Sequence, residues 1–182
     1  MGRTVNLIRH AQSTFNAAFR QTGVDPLHFD APLSPLGLQQ VEAARAVLGR
    51  LAHDVVITSP LTRAIQTTLG LFGAAAPIRV EALHRERAEN SCDVGRSPIA
   101  LRRDFPMLAF DHLDDPWWHD SERDHRGVAV EAEETLQARV NDFRAWLAAR
   151  PERVITVVGH GTFLNRLTGH RFANCEHLAW EL

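Results

Sequence analysis

The sequence contains no lysine and no tyrosine, and it carries little net charge. Its 20 basic residues are therefore all arginine, set against 22 acidic residues, and the formal net charge is −2. A chain so close to neutral does not bind polyanions through bulk charge, so we expect no nucleic-acid partner. The arginine bias suits phosphate recognition, but it follows equally well from genomic base composition.

Long apolar runs and cysteines are also scarce. Nowhere do about eighteen apolar residues follow one another, and Asn6 interrupts the short apolar stretch near the N-terminus. We therefore expect neither a membrane span nor a signal peptide. Cys92 and Cys175 are too few for a disulfide framework and lack metal-binding spacing, so we expect two free thiols in a cytoplasmic protein.

The length and the pattern of apolar residues indicate one α/β domain. A chain of 182 residues can bury a substantial core and still carry a modest insertion. The short runs rich in valine and isoleucine, which predict buried strands, are Thr4–Ile8, Asp54–Thr58, Ile78–Leu83 and Val154–Val158. Helical patterns lie between them. This alternation predicts a three-layer α/β/α sandwich with a mostly parallel central sheet.

Three segments carry apolar residues at helical spacing. In two of them a Ser-Pro pair, Ser34-Pro35 and Ser59-Pro60, predicts the helix start, with serine as the N-cap and proline at the first helical position. The predicted core-facing stripes are Leu38, Val41, Leu48 and Leu51; Leu61, Ile65, Thr68, Leu69 and Phe72; and Leu136, Val140, Phe143 and Leu147. Pro151 ends the third helix.

The segment at about 87–127 differs from the rest, because it lacks sustained periodicity and is dense in aspartate, histidine and tryptophan. We interpret it as an insertion, or lid, over the C-terminal strand ends within a single domain of residues 1–182. Its histidines have irregular spacing, so we interpret them as solvated residues rather than zinc ligands. Trp117 and Trp118 are expected to anchor the segment against the body.

Polar side chains follow each predicted strand. Open parallel sheets bind ligands beyond the carboxyl ends of their strands, so these side chains are expected to converge. They are Arg9 and His10 after the first strand, Arg63 after the second, Glu86 after the third, and His160 with Gly161 after the fourth. Gly161 lets the backbone turn closely into a helix whose N-terminal N–H groups favour an anion.

Two histidines beside two arginines make a poor metal site, because guanidinium charges repel a divalent cation and only one carboxylate is offered. We therefore predict no metal and no cofactor. The same residues suit a phosphoryl group, since a neutral imidazole can attack phosphorus while arginines neutralise the charge on its oxygens. One carboxyl group, for which Glu86 is the candidate, can protonate the leaving group and then activate water.

Several motifs, in this order, resemble those of the histidine phosphatase, or phosphoglycerate mutase-like, superfamily. The matching segments are Arg9-His10-Ala11-Gln12-Ser13 with Asn16, Asp30-Ala31-Pro32-Leu33-Ser34-Pro35-Leu36-Gly37 with Gln40, Ser59-Pro60-Leu61-Thr62-Arg63-Ala64 with Thr67, and Val158-Gly159-His160-Gly161. They are similar to the family's first histidine signature, its Asp-x-Pro-Leu-Ser/Thr-x-x-Gly segment, its second arginine motif and its second histidine motif. The resemblance covers nearly the whole chain.

The resemblance implies a metal-independent phosphatase whose nucleophile, His10, is transiently phosphorylated. The other roles that it implies are a phosphate pocket of Arg9, Arg63 and His160, an acid/base at Glu86, and substrate contacts at Asn16, Gln21 and Gly161. Two positions depart from the family signature, because Ala11 replaces its glycine and Gln12 its glutamate. The sequence around the proposed acid also lacks the Gly-x-Trp-Glu-Gly pattern of many relatives, which leaves Glu89 and Asp93 as rival acids.

Within this resemblance, hydrolysis competes with phosphoglycerate mutase-type phosphoryl transfer. A mutase must protect its phosphohistidine from water in an enclosed site, and this chain is short for such an enzyme, so we favour a phosphatase acting on a small phosphomonoester. A non-catalytic phospholigand-binding pseudoenzyme is the alternative from another class, and retention of both histidines and both arginines speaks against it. The sequence predicts neither the individual substrate nor the oligomeric state.

Overall fold

The computed structural model of the protein describes residues 3–182, which form a mixed α/β fold. Its elements are β1 (Thr4–Arg9), α1 (Thr14–Thr22), α2 (Pro35–Leu48), β2 (Val55–Thr58), α3 (Thr62–Phe72), β3 (Ile78–Val80), a 3-10 turn (Ser91–Asp93), α4 (Pro98–Asp104), α5 (Glu133–Ala148), β4 (Ile155–Gly159), α6 (Gly161–Thr168) and β5 (His177–Glu181). No helix within residues 3–182 is long and apolar enough to cross a membrane.

The central sheet has the strand order β3-β2-β4-β1-β5. Its first four strands are parallel, and β5 pairs with β1 in the antiparallel sense. The mostly parallel sheet is therefore confirmed, and the four predicted strands form, although β3 ends at Val80 rather than at Leu83. The sequence did not predict β5, because its residues, His-Leu-Ala-Trp-Glu, lack the valine and isoleucine that marked the other strands.

Helices cover both faces of the sheet. Leu7 and Val157 point to the side where α5 and α6 pack, whereas Ile8 and Val158 point to the side of α2 and α3. All four side chains are fully buried, as alternation along strands with two covered faces requires. The predicted three-layer sandwich is confirmed, and so is the buried stripe of α5.

The start of α2 follows the prediction, because the Ser34 side chain accepts a hydrogen bond from Gly37 N at 3.0 Å. The predicted stripe of this helix is wrong at Leu38, which is 58% exposed. Gly37 takes the inward position instead, and a Cβ there would lie 2.0 Å from the carbonyl oxygen of Gln12. The helix thus approaches the end of β1 so closely that only glycine fits, and Leu38 is turned toward solvent.

The predicted start of α3 at Ser59 is wrong. The helix begins at Thr62, and its N-cap, Leu61, provides no side-chain hydrogen bond. A carboxylate from a distant loop caps it instead, since Asp30 accepts hydrogen bonds from the backbone N–H of Thr62 at 2.8 Å and from its hydroxyl at 2.5 Å. A negative charge at a helix N-terminus is favourable, and Asp30 therefore fixes the helix that carries Arg63.

The insertion, residues 87–127, is anchored by a tryptophan as expected. Trp117 is 5% exposed and packs in an apolar cluster with Leu61 and Ile65 of the body. Its indole N–H donates to the carbonyl of Arg96 at 2.8 Å. The ring lies against Gly95, where a Cβ would come within 2.2 Å of it. This part of the insertion is therefore built into the fold by core-like packing.

Candidate active site

The strand register brings the two motif histidines together. Arg9 and Gly159 are partners at the ends of β1 and β4, so the residues that follow them, His10 and His160, leave the sheet side by side. His10 N donates to the carbonyl of Gly159 at 2.9 Å, and the two imidazole rings lie 5.1 Å apart. Both side chains are buried, and they converge at one edge of the sheet, as the topological argument predicts for residues that follow parallel strands.

Hydrogen bonding shows which of the two ring nitrogens of His10 carries the proton. Nδ1 lies 2.6 Å from the carbonyl oxygen of Ala11, so it carries the proton and donates to that carbonyl. Nε2 accepts from Nε of Arg63 at 3.3 Å and therefore holds the lone pair. Burial, with Arg63 and Arg9 nearby, lowers the pKa of His10 well below its ordinary range. The imidazole is thus neutral and nucleophilic at Nε2.

Arg63 is held rigidly beside this nitrogen. It is 2% exposed, and its guanidinium donates to the carbonyl of Cys92 at 2.6 Å and to Asp93 Oδ1 at 2.9 Å. Burial alone would lower the pKa of Arg63, but the charges of Asp93 and Glu86 raise it. A charged guanidinium with fixed orientation is suited to bind phosphoryl oxygens without reorganisation.

Arg9 approaches the same region from the end of β1. Its Nη1 donates to the carbonyl of Phe172 at 2.7 Å, while Nε is buried without a hydrogen-bond partner among residues 3–182. Gly161 lies against the guanidinium, where a Cβ would stand 3.1 Å from the central carbon. Glycine at this position therefore lets Arg9 pack directly on the first turn of α6.

His160 lies beside His10 and is fully buried. Neither of its ring nitrogens has a partner within the described part of the chain, although buried polar groups are ordinarily hydrogen-bonded. Burial, followed by the charge of Arg63 and the neighbouring His10, lowers the pKa of His160 well below its ordinary range. A neutral imidazole in this position can donate one hydrogen bond to a phosphoryl oxygen.

Glu86 occupies the N-terminus of α6. Its carboxylate accepts hydrogen bonds from the backbone N–H groups of Thr162 and Phe163, both at 3.0 Å. An anion at this helix end was expected, but the group found there is the protein's own carboxylate. The helix N-terminus thus orients the candidate acid/base. We expected these N–H groups to bind an anionic substrate, but in the structure they donate to Glu86.

A buried ion pair holds the loop that carries Glu86. Arg139 of α5 donates to the carbonyls of Leu83 at 2.9 Å and Arg85 at 2.7 Å, and its guanidinium pairs with Glu131 at 2.6 Å. The sequence reasoning missed this arginine. The available signal was its place between Leu136 and Val140 on the apolar face of a helix, where a charge needs a buried partner.

The motif residues surround a cavity of about 200 Å³, called here the catalytic cavity. Its lining includes His10, the two predicted arginines and all three candidate acids, together with a pair of stacked phenylalanines. The lining residues used below are Arg9, His10, Phe15, Asn16, Phe19, Arg63, Glu86, Glu89 and Asp93. Five predicted site residues, Arg9, His10, Asn16, Arg63 and Glu86, therefore meet at one cavity, and the His160 ring lies 5.1 Å from the His10 ring.

The three acids differ in their surroundings. Glu89 is exposed at the cavity rim, whereas Asp93 is buried and accepts hydrogen bonds from two backbone N–H groups besides its ion pair with Arg63. Burial raises the pKa of Asp93 to about 6, although Arg63 opposes this shift. Glu86 is partly exposed and makes no ion pair within residues 3–182, so its carboxyl group is the one that is both accessible and oriented.

Two predicted substrate contacts have different outcomes. Asn16 lines the catalytic cavity, and it also closes a capping box in which its side-chain oxygen accepts from Ser13 N at 3.2 Å. Gln21 is exposed in the last turn of α1 and lines neither this cavity nor the one beside it, so the structure does not bring it to the site.

The departure at Gln12 has a structural explanation. Its side-chain oxygen accepts from the Ser34 hydroxyl at 2.7 Å, and its backbone N–H donates to Gln40 at 2.8 Å. These bonds join the end of β1 to α2. Asn174, which the sequence did not indicate, adds a further support by donating to the carbonyl of His10 at 2.9 Å. A neutral glutamine can therefore hold the loop that carries His10 in place.

No cluster that could hold a metal ion occurs among residues 3–182, counting groups of three or more histidine, cysteine, aspartate or glutamate side chains. His112, in the insertion, lies with Nε2 2.8 Å from the carbonyl of Val80. Both cysteines are free thiols, as expected. Burial raises the pKa of Cys92 well above its ordinary value and that of Cys175 to about 11, which makes both thiols unreactive.

Comparison with known proteins agrees with this geometry. The family model of the histidine phosphatase superfamily, branch 1, matches residues 5–181. A phosphoglycerate mutase-like protein 1 of Arabidopsis thaliana is 30% identical over 96% of this chain and 79% of the relative. A glucosyl-3-phosphoglycerate phosphatase of Mycolicibacterium vanbaalenii is 27% identical over 91% of this chain and 72% of its own length.

Solved structures show the same fold. The α-ribazole phosphatase of Shigella flexneri superposes with a TM-score of 0.65 at 20% identity, covering 97% of this chain and 89% of the other. A mycobacterial glucosyl-3-phosphoglycerate phosphatase superposes with a TM-score of 0.61 at 22% identity, covering 96% and 88%. With the family match spanning nearly all of the sequence, the chain belongs to the histidine phosphatase superfamily and is an enzyme that acts as a phosphatase.

Proposed function

We propose that the protein hydrolyses small phosphomonoesters through a phosphohistidine formed on Nε2 of His10. The observation that carries this proposal is the fixed tautomer of His10, whose Nδ1 donates to Ala11 while Nε2 faces the catalytic cavity beside Arg63. A neutral, oriented imidazole next to two arginines is what nucleophilic attack on a phosphoryl group needs.

In the first step, Nε2 of His10 attacks phosphorus and the bond from phosphorus to the ester oxygen breaks. Phosphorus takes the lone pair of Nε2, so the Arg63 N–H that donates to Nε2 in the free enzyme donates to a phosphoryl oxygen while the guanidinium stays in place, and Arg9 and His160 bind the remaining oxygens. The departing oxygen takes a proton from Glu86, which completes an alcohol. The arginines stabilise the charge that spreads over the equatorial oxygens.

In the second step, the Glu86 carboxylate removes a proton from water, whose oxygen attacks phosphorus as the bond to Nε2 breaks. The products are inorganic phosphate and the neutral imidazole, so the enzyme returns to its starting state with no metal or cofactor. The N–H groups of Thr162 and Phe163 hold this carboxylate in one orientation for both steps.

The dimensions of the site and the relatives support a small metabolite as substrate. The catalytic cavity and the cavity beside it measure about 200 and 360 Å³, and only together do they fall well within the size range of small-molecule pockets. Phosphatases of glucosyl-3-phosphoglycerate are among the relatives. We further propose that residues 1–182 act as a single domain in which only the first part of the insertion, residues 87–93, shapes the pocket.

A rapid-quench experiment with a labelled phosphomonoester, run in excess EDTA, tests the proposal. We expect an acid-labile, base-stable adduct on His10 and release of inorganic phosphate. His10→Gln should abolish both, whereas His53→Gln, which changes a histidine outside the cavity, should preserve both. Label on Ser13 or Cys92, or activity that EDTA removes and zinc or magnesium restores, would contradict the mechanism. Transfer of the phosphate to a second acceptor instead of water would indicate a mutase.

A further inference from the structure

A buried carboxylate lies in the loop that joins α1 to α2. In this loop Val24, Leu27 and Phe29 are 67%, 53% and 48% exposed, whereas the side chain of Asp25 is only 6% exposed. This reverses the usual distribution, in which apolar side chains are buried and carboxylates are solvated. Apolar packing by these three side chains therefore does not hold the loop, and the burial of Asp25 must have another cause.

The carboxylate of Asp25 accepts hydrogen bonds on both oxygens. Oδ1 accepts from the hydroxyl of Ser91 at 2.5 Å and from Leu27 N at 2.9 Å, and Oδ2 accepts from Ser91 N at 2.8 Å. Arg126 covers the outer side, with Nη1 3.2 Å from Oδ2. Burial raises the pKa of Asp25, but the hydrogen bonds that it accepts outweigh this effect and lower the pKa below its ordinary value. Asp25 is therefore an anion bound to Ser91 by two hydrogen bonds.

Ser91 is the first residue of the 3-10 turn that holds Arg63. The next two residues of this turn provide the carbonyl of Cys92 and the carboxylate of Asp93, which accept from the Arg63 guanidinium at 2.6 and 2.9 Å. The turn is also closed internally, because Asp93 accepts from two backbone N–H groups of the residues before it. Its shape therefore does not depend on Asp25, whereas its position relative to the α1–α2 loop does.

One loop thus fixes both elements that surround Arg63. Asp30 binds the first turn of α3, which carries Arg63, and Asp25 binds the turn that accepts hydrogen bonds from its guanidinium. Ser91 is fully buried, so without Asp25 its N–H and hydroxyl would lose their partner. Buried donors are costly to leave unpaired, and the turn would shift to relieve that cost. Such a shift would move the groups that orient Arg63.

We propose that Asp25 is a positioning residue for hydrolysis, which holds the turn Ser91–Asp93 so that Arg63 faces the phosphoryl group at His10. Asp25 lines neither the catalytic cavity nor the cavity beside it, so it acts only through the guanidinium. Because Arg63 binds phosphoryl oxygens and not the alcohol, the contribution of Asp25 is the same for every leaving group. This assignment rests on the proposed hydrolysis at His10.

Asp25→Asn tests the assignment, because asparagine has nearly the same shape but lacks the charge and the second acceptor oxygen. We expect kcat/KM per competent molecule, counted by burst titration of phosphorylatable His10, to fall about fivefold to tenfold, since small displacements of a positioned group are costly. The loss should be equal for alkyl phosphates and p-nitrophenyl phosphate. The inhibition constant of orthovanadate, which mimics five-coordinate phosphorus, should rise by a similar factor. Loss of folded molecules alone would leave that constant unchanged.

Two further variants locate the effect. Ser91→Ala removes the hydroxyl donor but keeps the backbone N–H, so its loss should be smaller, about twofold to threefold. In the double variant with Asp25→Asn the losses should not multiply, because both substitutions break the same hydrogen bond. Asp54→Asn is the matched control, since Asp54 also accepts from two backbone N–H groups, those of Arg153 and Val154, but at the opposite end of the sheet. It should change neither kcat/KM nor the vanadate constant.

The results distinguish the positioning role from the hydrolytic proposal. Unchanged kcat/KM and vanadate inhibition in Asp25→Asn, a loss that depends on the leaving group, losses that multiply in the double variant, or an equal loss in Asp54→Asn would overturn the positioning role and leave hydrolysis at His10 intact. If Asp25→Asn does not fold, Ser91→Ala provides the test, and an unchanged vanadate constant there overturns the role. Failure of the hydrolytic proposal differs, because the wild type would then form no adduct on His10.

Discussion

The strand-end residues and the insertion contribute to the site in opposite ways. Arg9, His10 and His160 follow directly from strands that the sheet register aligns, and Arg63 stands in the first turn of a helix capped by Asp30. The insertion has little regular structure beyond one short helix and a single 3-10 turn. It nevertheless provides Asp93, whose ion pair with Arg63 is as buried as the strand-end residues themselves.

This contrast teaches that the insertion divides into two parts with different tasks. Its first residues, 87–93, line the catalytic cavity and hold Arg63, whereas none of its described residues from 94 to 127 lines the catalytic cavity or the cavity beside it. The later part is anchored through Trp117 and through Arg96, which pairs with Asp30 at 2.7 Å. We therefore expect chemistry and stability to respond separately to changes in the two regions.

The largest effect is expected from a matched pair of arginines. Arg63→Gln should lower kcat for p-nitrophenyl phosphate per folded molecule by about a hundredfold or more, as loss of one preorganised donor does, and should also lower the free energy of unfolding by about 3 kcal/mol, because it leaves the buried Asp93 without its cation. Arg96→Gln should lower the free energy of unfolding by a similar amount, because it leaves the buried Asp30 without its cation, but should leave kcat per folded molecule nearly unchanged. Steady-state kinetics and urea denaturation of both variants measure this. A reversed pattern would show that the insertion, not the strand ends, performs the chemistry.

The next effect concerns the proton donor. Glu86→Gln should slow phosphorylation by an alkyl phosphate about a hundredfold, because an alkoxide needs a proton as it leaves, but should slow phosphorylation by p-nitrophenyl phosphate much less. Dephosphorylation of His10 should also slow, so phosphoenzyme accumulates with the aryl substrate. Single-turnover measurements separate the steps. Equal losses of phosphorylation rate with both leaving groups would remove Glu86 from the role of acid.

The strand-end residues were predictable because two general rules place them. Strand periodicity locates Arg9 and His10, and parallel pairing brings them to His160. The sequence therefore predicts that these residues lie together, although it shows no contact between them. Arg63 was also predicted, although for a partly wrong reason, since the helix starts at Thr62 and not at Ser59. Local sequence could not show that the cap comes from Asp30, because that bond joins segments that are distant along the chain.

The supporting residues were less predictable. Arg139 and Glu131 hold the Glu86 loop through contacts that depend on the packing of α5. Strand β5 forms because the edge of β1 is available for pairing, and its own residues do not favour a strand. Glu86 and Asp93 illustrate the limit. The sequence offered both as acids, and only the surroundings of their carboxyl groups distinguish them.

A smaller effect is expected at Asp93, since it acts through Arg63. Asp93→Asn should lower kcat about tenfold, and the factor should be the same for alkyl and aryl phosphates. The substitution loosens the guanidinium of Arg63 but removes no proton donor. The pKa of Asp93 is raised to about 6, so the ion pair is complete above that pH and is lost as the pH falls through it. The wild type should therefore lose activity below about pH 6 in a manner that Asp93→Asn does not share.

Glu89→Gln is the matched control for that variant, because Glu89 lies at the same cavity but is exposed and makes no ion pair within residues 3–182. It should change kcat less than about twofold, as exposed charges usually do. A loss at Asp93→Asn that depends on the leaving group, or the same acidic limb in the variant and the wild type, would contradict the positioning role and make Asp93 the acid.

The smallest effect on catalysis is expected at Trp117, where the effect on stability is large. Trp117→Ala removes a buried indole from the cluster around Leu61 and should lower the free energy of unfolding by about 3–5 kcal/mol. The rate constant per folded molecule should change less than about twofold, because the ring lies outside both cavities of the site. Any loss of total activity should then come from a smaller fraction of folded molecules. Trp118→Ala, at the half-buried neighbour, should destabilise the protein less. Urea denaturation, with burst titration of phosphorylatable His10 to count competent molecules, separates the two quantities. If the rate per competent molecule fell tenfold or the selectivity between alkyl and aryl phosphates changed, the later part of the insertion would reach the substrate, and the division of the insertion into two parts would be wrong.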